Sequence, residues 1–191
     1  FGQIYLNNED KIMVTEEFKK VAVSFAGGDG GNPKSEVWFC GLEWGIGDEA
    51  SPDDFYKKFS LSPKLIPHSW LEDDFDGSWT TQYNQKLCWF LWYYYNLEWK
   101  NGESVEHFVK TYNVLYPQGI GFKLNMLPIN FKNRSSIKWN EQFIKMTGFE
   151  TFDEYREWCV ENRGAFYRQL IDECNPKVII CTGVTEKDNF F

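Results

Sequence analysis

Apolar runs and polar breaks divide the chain into alternating helical and extended segments. Thr15 stands as a cap before Phe18, Val21, Val23 and Phe25, which predicts a helix to about residue 25. Gly27-Gly28-Asp29-Gly30-Gly31-Asn32-Pro33 ends it. Residues 36–41 (Glu-Val-Trp-Phe-Cys-Gly) form a short apolar run bounded by turn residues, the pattern of a buried strand. Ser51-Pro52 opens another short helix, with Ser as N-cap and Pro at the first helical position. Residues 60–78 read as irregular, punctuated by Pro63, Pro67 and Gly77. A bulky aromatic helix is predicted from about residue 80 to 97, and a shorter one begins at Ser104. Residues 121–128 read as a second strand. Thr151 and Glu154 make a capping box that opens a helix, and a further helix stops at Cys174, before Asn175-Pro176. Residues 177–183 (Lys-Val-Ile-Ile-Cys-Thr-Gly) are the clearest strand of all.

Strands alternating with helices predict an α/β fold, a three-layer α/β/α sandwich around a mostly parallel sheet. The 191 residues suffice for one such domain, spanning 1–191. Only eight residues follow the last strand, where these folds continue with a helix and often another strand. The expectation is therefore a domain that lacks its C-terminal segment.

Composition narrows the function. Phe 17, Tyr 10 and Trp 9 make 19% of the chain aromatic, which supplies either buried area or flat surfaces for stacking. The longest uncharged aromatic run, residues 87–97, falls short of the roughly 20 apolar residues of a membrane helix. The start of the chain lacks the pattern of a signal peptide. Five cysteines without a C-x-x-C pair fit a reduced, cytoplasmic setting, with Cys40 and Cys181 packed in strands as small hydrophobes. With two histidines and scattered thiols, no metal site and no cofactor is expected.

The net charge of −8 excludes a general polyanion coat. It does not exclude a local patch. Residues 107–140 contain no acid and carry Lys110, Lys123, Lys132, Arg134 and Lys138, whereas residues 43–76 carry nine acids against three lysines. Such asymmetry fits a molecule with one anion-facing side, or an ordinary solvated loop with spare lysines. Phe131 and Trp139 interleave with these cations as in single-strand binders.

Three short constellations could carry chemistry. In Cys40-Gly41-Leu42-Glu43-Trp44-Gly45-Ile46-Gly47 a strand ends in a glycine-rich turn holding one carboxylate. Ligands of open parallel sheets bind beyond the carboxyl ends of strands, where Glu43 would sit, and Gly41, Gly45 and Gly47 would let backbone approach closely. A strand-end Glu also commonly caps a loop. In Leu124-Asn125-Met126-Leu127-Pro128, Asn125 is an amide inside an apolar strand, suited to a nucleobase edge or to a neighbouring loop backbone. The third is residues 176–183, preceded by a helix containing Arg163, Phe166, Leu170 and Ile171.

In this order the three resemble the uracil-DNA glycosylase superfamily over roughly residues 35 to 183. Gly41-Leu42-Glu43-Trp44-Gly45 is similar to the family's first motif, with Glu43 in the place of the water-activating acid and Trp44 where proline is usual. Asn125 is similar to the base-reading Asn. The resemblance implies base flipping into an aromatic pocket and hydrolysis of the N-glycosidic bond. Glu43 would then orient water, Asn125 would bond the base edge, and Trp44 or Trp79 would stack on the base, although a core role for Trp79 is the plainer reading. Lys132, Arg134 and Lys138 would hold flanking phosphates. The family's late His-containing motif is missing, since His68 and His107 stand elsewhere, and so are the four cysteines of its iron–sulfur branch. That departure keeps two other readings open. One is a catalytically silent relative that binds nucleic acid or a nucleotide. The other is a protein-interaction module, which clustered exposed tryptophans would favour.

Overall fold

The computed structural model describes residues 14–42, 63–70, 79, 81–129 and 139–183. Its elements in chain order are α1 (Glu16–Ala22), β1 (Gly30–Gly31), β2 (Val37–Gly41), α2 (Gln82–Tyr94), α3 (Val105–Tyr112), β3 (Phe122–Asn125), α4 (Glu141–Thr147), α5 (Phe152–Cys174) and β4 (Val178–Cys181). The helix predicted at Ser51 falls outside the described residues.

Each of these helices opens on a side chain that accepts a free backbone N–H of the first turn. The caps are Thr15, Thr81, Ser104, Asn140 and Thr151, and Thr151 with Glu154 closes a reciprocal capping box. Three differences from the sequence pattern have local causes. Helix α1 stops at Ala22 rather than residue 25, because the carbonyls of Ala22, Ser24 and Ala26 turn towards the Arg163 guanidinium. One helix of 23 residues replaces the two expected before Asn175, since Gly164 lies inside it without breaking it. Helix α4 was not predicted; at seven residues it is too short to show a period.

The sheet has the order β1-β3-β2-β4. Strand β2 pairs in parallel with β3 and with β4, whereas β1 pairs antiparallel with β3. The sheet is thus mixed, not mostly parallel as the sequence implied. The antiparallel edge is two glycines with φ of 82° and 98°. A Cβ on Gly30 would collide with the His68 backbone, and Gly31 N–H donates to His68 O at 2.8 Å. Only glycine fits this edge, which the segment at His68 covers.

Alternate residues of β2 enter different clusters. Val37 and Phe39 pack with Leu87, Cys88 and Leu91 of α2 and Phe108 and Val109 of α3. Trp38 and Cys40 pack with Phe122, Leu124 and the α5 residues Tyr167 and Leu170. A third cluster joins Phe18, Phe143, Tyr155 and Cys159, from α1, α4 and α5. Cys181 departs from its expected packing: it is exposed, while its register partner Cys40 is fully buried. No helix among the described residues is long and apolar enough to cross a membrane.

Candidate functional site

The carboxyl ends of β2, β3 and β4 are tied together by backbone bonds. Met126 N–H donates to Gly41 O at 2.9 Å, Leu127 N–H to Leu42 O at 2.6 Å, and Thr182 N–H to Cys40 O at 2.8 Å. Gly41 and Asn125 are register partners across the β2–β3 ladder. A Cβ on Gly41 would overlap Asn125 Oδ1, so the glycine leaves the space that the amide fills. Of the residues singled out in the sequence, the fold brings these two into contact.

Asn125 is 1% exposed. Its Nδ2 donates to Gly27 O at 2.8 Å, the loop-backbone bond that the sequence left as an alternative to base reading. Its own carbonyl accepts from Arg163 Nε at 2.9 Å and from Tyr167 Oη at 2.8 Å. Arg163, fully buried on α5, also donates to Ala22 O (2.7 Å), Ser24 O (3.1 Å) and Ala26 O (2.5 Å). One guanidinium thus fixes both the end of β3 and the chain that carries the Gly27 carbonyl. Burial pushes the Tyr167 hydroxyl up, so it stays a neutral donor to Asn125 O.

On the α2 side a second polar group is sealed in. Lys123 of β3 pairs with Asp29, and both side chains are about nine-tenths covered. Its Nζ also donates to Asn84 Oδ1 at 3.2 Å and lies 4.6 Å from the Tyr83 ring centroid. Thr182 Oγ1 donates to Cys40 O at 3.2 Å and approaches Tyr83 Oη at 3.5 Å. Burial pushes Tyr83 up to about 12. Cys40 is driven well above the ordinary thiol range by burial and by its thiol contact with Cys181, and the same contact lowers Cys181.

The remaining assignments divide. Trp79 packs against the α2–α3 cluster, in keeping with a core role. Trp139 also packs inward: it stacks on Phe143 with centroids 4.8 Å apart, and its Nε1 donates to Phe149 O at 2.9 Å. Two cations of the basic stretch are neutralised by acids outside it, Lys110 by Glu106 at 2.6 Å and Lys123 by Asp29. Glu43, Trp44, Gly45, Gly47, Lys132, Arg134 and Lys138 lie outside the described residues. The roles of Arg163 and Asp29 were not visible in sequence, because their partners lie far along the chain.

Among the described residues no group of three or more His, Cys, Asp or Glu side chains could hold a metal ion. An open cavity is lined by Asn32, Pro33, Lys34 and Cys174, residues that precede β2 and β4, and so belongs to the other end of the sheet. Exposed aromatics gather on α2, where Trp89, Trp92 and Tyr93 are 52%, 39% and 81% exposed. No protein-family model, curated protein or solved structure matches the chain.

Proposed function

We propose that the chain is a uracil-DNA glycosylase-like protein of three-layer α/β/α architecture. It binds a nucleobase or nucleic acid beyond the carboxyl ends of β2 and β3 and hydrolyses the N-glycosidic bond of a damaged base. The observation that carries the reading is the contact of Gly41 with Asn125, which puts the end of one motif against the residue assigned to base recognition. Glu43 follows Gly41 by two residues and, in this reading, orients the water whose oxygen bonds to the sugar C1′ as the base departs. Asn125 bonds the base edge, Trp44 or Trp79 supplies the stacking face, and Lys132, Arg134 and Lys138 hold phosphates.

The test is to incubate the protein with oligonucleotides carrying uracil, hypoxanthine, xanthine or oxidised bases, single- and double-stranded, and to score abasic sites. Glu43→Gln and Asn125→Ala serve as controls. Abasic product that disappears in both variants supports the enzyme and names its base. No product from folded protein rejects the hydrolytic step.

Two observations favour the alternative, a catalytically silent binding or interaction module. The Asn125 Nδ2 is already committed to Gly27 O, and the exposed α2 aromatics offer a face to a partner. Saturable binding without abasic product would select this reading.

A further inference from the structure

Cys40 and Cys181 stand side by side at the carboxyl ends of β2 and β4, as register partners in a parallel ladder. Neighbouring strands run about 4.8 Å apart, within the roughly 4.4–6.8 Å Cα separation that a disulfide spans. Parallel partners project to the same face, which sets the two side chains next to one another. Their settings differ sharply: Cys40 is wholly buried, and Cys181 is open to solvent.

We propose that Cys181 is a modification site for hydroperoxides and that Cys40 is the thiol that resolves it, closing a reversible Cys40–Cys181 disulfide. The inference does not depend on the glycosylase reading. In the first step the Cys181 thiolate attacks one oxygen of the hydroperoxide. An S–O bond forms, the O–O bond breaks, and the other oxygen leaves as an alcohol, or as water from hydrogen peroxide, after taking a proton. Sulfur is oxidised by two electrons to the sulfenic acid, and the peroxide is reduced by two. In the second step the Cys40 sulfur attacks the Cys181 sulfur. The S–S bond forms, the S–O bond breaks, and hydroxide leaves as water with the proton released by Cys40.

The order of the two thiols follows from their settings. Peroxide must reach the attacking sulfur, and of the two thiols Cys181 is the exposed one. The neighbouring Cys40 thiol also holds Cys181 below the ordinary thiol range, which favours its thiolate. Burial makes Cys40 a poor free nucleophile, but it is the register neighbour of its target across the β2–β4 ladder, and proximity replaces intrinsic reactivity. Cys88 and Cys159 are buried with thiols pushed up to about 12, so they do not compete.

The experiment treats the reduced protein with hydrogen peroxide and counts thiols after denaturation, with peptide mapping under non-reducing conditions. The count falls from five to three, one linked peptide pair contains Cys40 and Cys181, and dithiothreitol restores five. Cys181→Ser keeps its four thiols at the same peroxide dose. Cys40→Ala, which removes only a sulfur, accumulates a sulfenic acid at Cys181 that dimedone captures. A thiol count that stays at five, a link that omits either residue, or a Cys181–Cys181 link between two molecules overturns the proposal.

Discussion

Arg163 is a buried cation that answers to backbone carbonyls, and this dictates how its replacement behaves. Among the described residues its four hydrogen bonds go to the carbonyls of Ala22, Ser24, Ala26 and Asn125. Arg163→Met keeps much of the volume and strands the carbonyls of Ala22, Ser24 and Ala26 in the interior, while Asn125 O keeps the Tyr167 hydroxyl. Its expected cost is about 3–5 kcal/mol, by the measure of a broken buried charge network, read as a lower urea midpoint. The Asp29–Lys123 pair behaves otherwise, because each partner neutralises the other. Lys123→Met alone should cost about 3 kcal/mol by leaving the carboxylate buried without its cation. Adding Asp29→Asn should recover most of that loss. A double-mutant cycle by chemical denaturation checks this, and additive losses would show that the two side chains are not coupled. At Gly41 the effect is steric. A Cβ there must displace Asn125 Oδ1, so Gly41→Ala should cost about 1–3 kcal/mol and should weaken any ligand binding that uses the amide.

At the scale of the element, the long helix α5 carries a correctable weakness. Gly164 lies in its interior, and its added Cβ would meet only the Arg168 guanidinium end, 3.3 Å away on an exposed side chain free to move. Gly164→Ala should therefore raise stability by about 0.5–1 kcal/mol through helix propensity, read as an increase in Tm. A fall instead would mean that Arg168 cannot yield. The same helix shows what was legible beforehand. Its capping box and its stop at Asn175 depend on neighbours within four residues, and both were read correctly. The caps at Thr15 and Ser104 were legible for the same reason. The antiparallel edge was not, because Gly30 and Gly31 take their meaning from Lys123, Phe122 and the backbone at His68. Nor was Arg163 legible as a clamp, its carbonyl partners on α1 and the following turn being 137 to 141 residues away. Of the site, the two strands that carry Gly41 and Asn125 were legible, but not their pairing, because parallel register joins segments far apart in the chain. The second strand also ends at Asn125, where the sequence pattern ran to residue 128. The amide's bond to Gly27 was foreseen only as one of two alternatives.

For the whole molecule the question is how an acidic protein could hold an anion. With a net charge of −8, attraction at long range is unfavourable, so any affinity for nucleic acid must come from a few close contacts and from stacking. The basic stretch offers less than its composition implied, since Lys110 and Lys123 are each paired with an acid. The proposed reading assigns the phosphates to Lys132, Arg134 and Lys138 of that stretch. A titration with single-stranded oligonucleotide, followed by tryptophan fluorescence, measures their number. Single strands contribute a slope of about −0.7 per phosphate contact in log K against log salt, so three contacts predict about −2. Replacing Arg134 with Gln should bring the slope to about −1.4 while leaving the saturated quench unchanged, since the stacking residues are untouched. A slope near zero with saturable quenching would place a neutral base or nucleoside at the site instead. A quench that reports a protein partner and ignores oligonucleotide would move the binding face to Trp89, Trp92 and Tyr93, the exposed aromatics of α2.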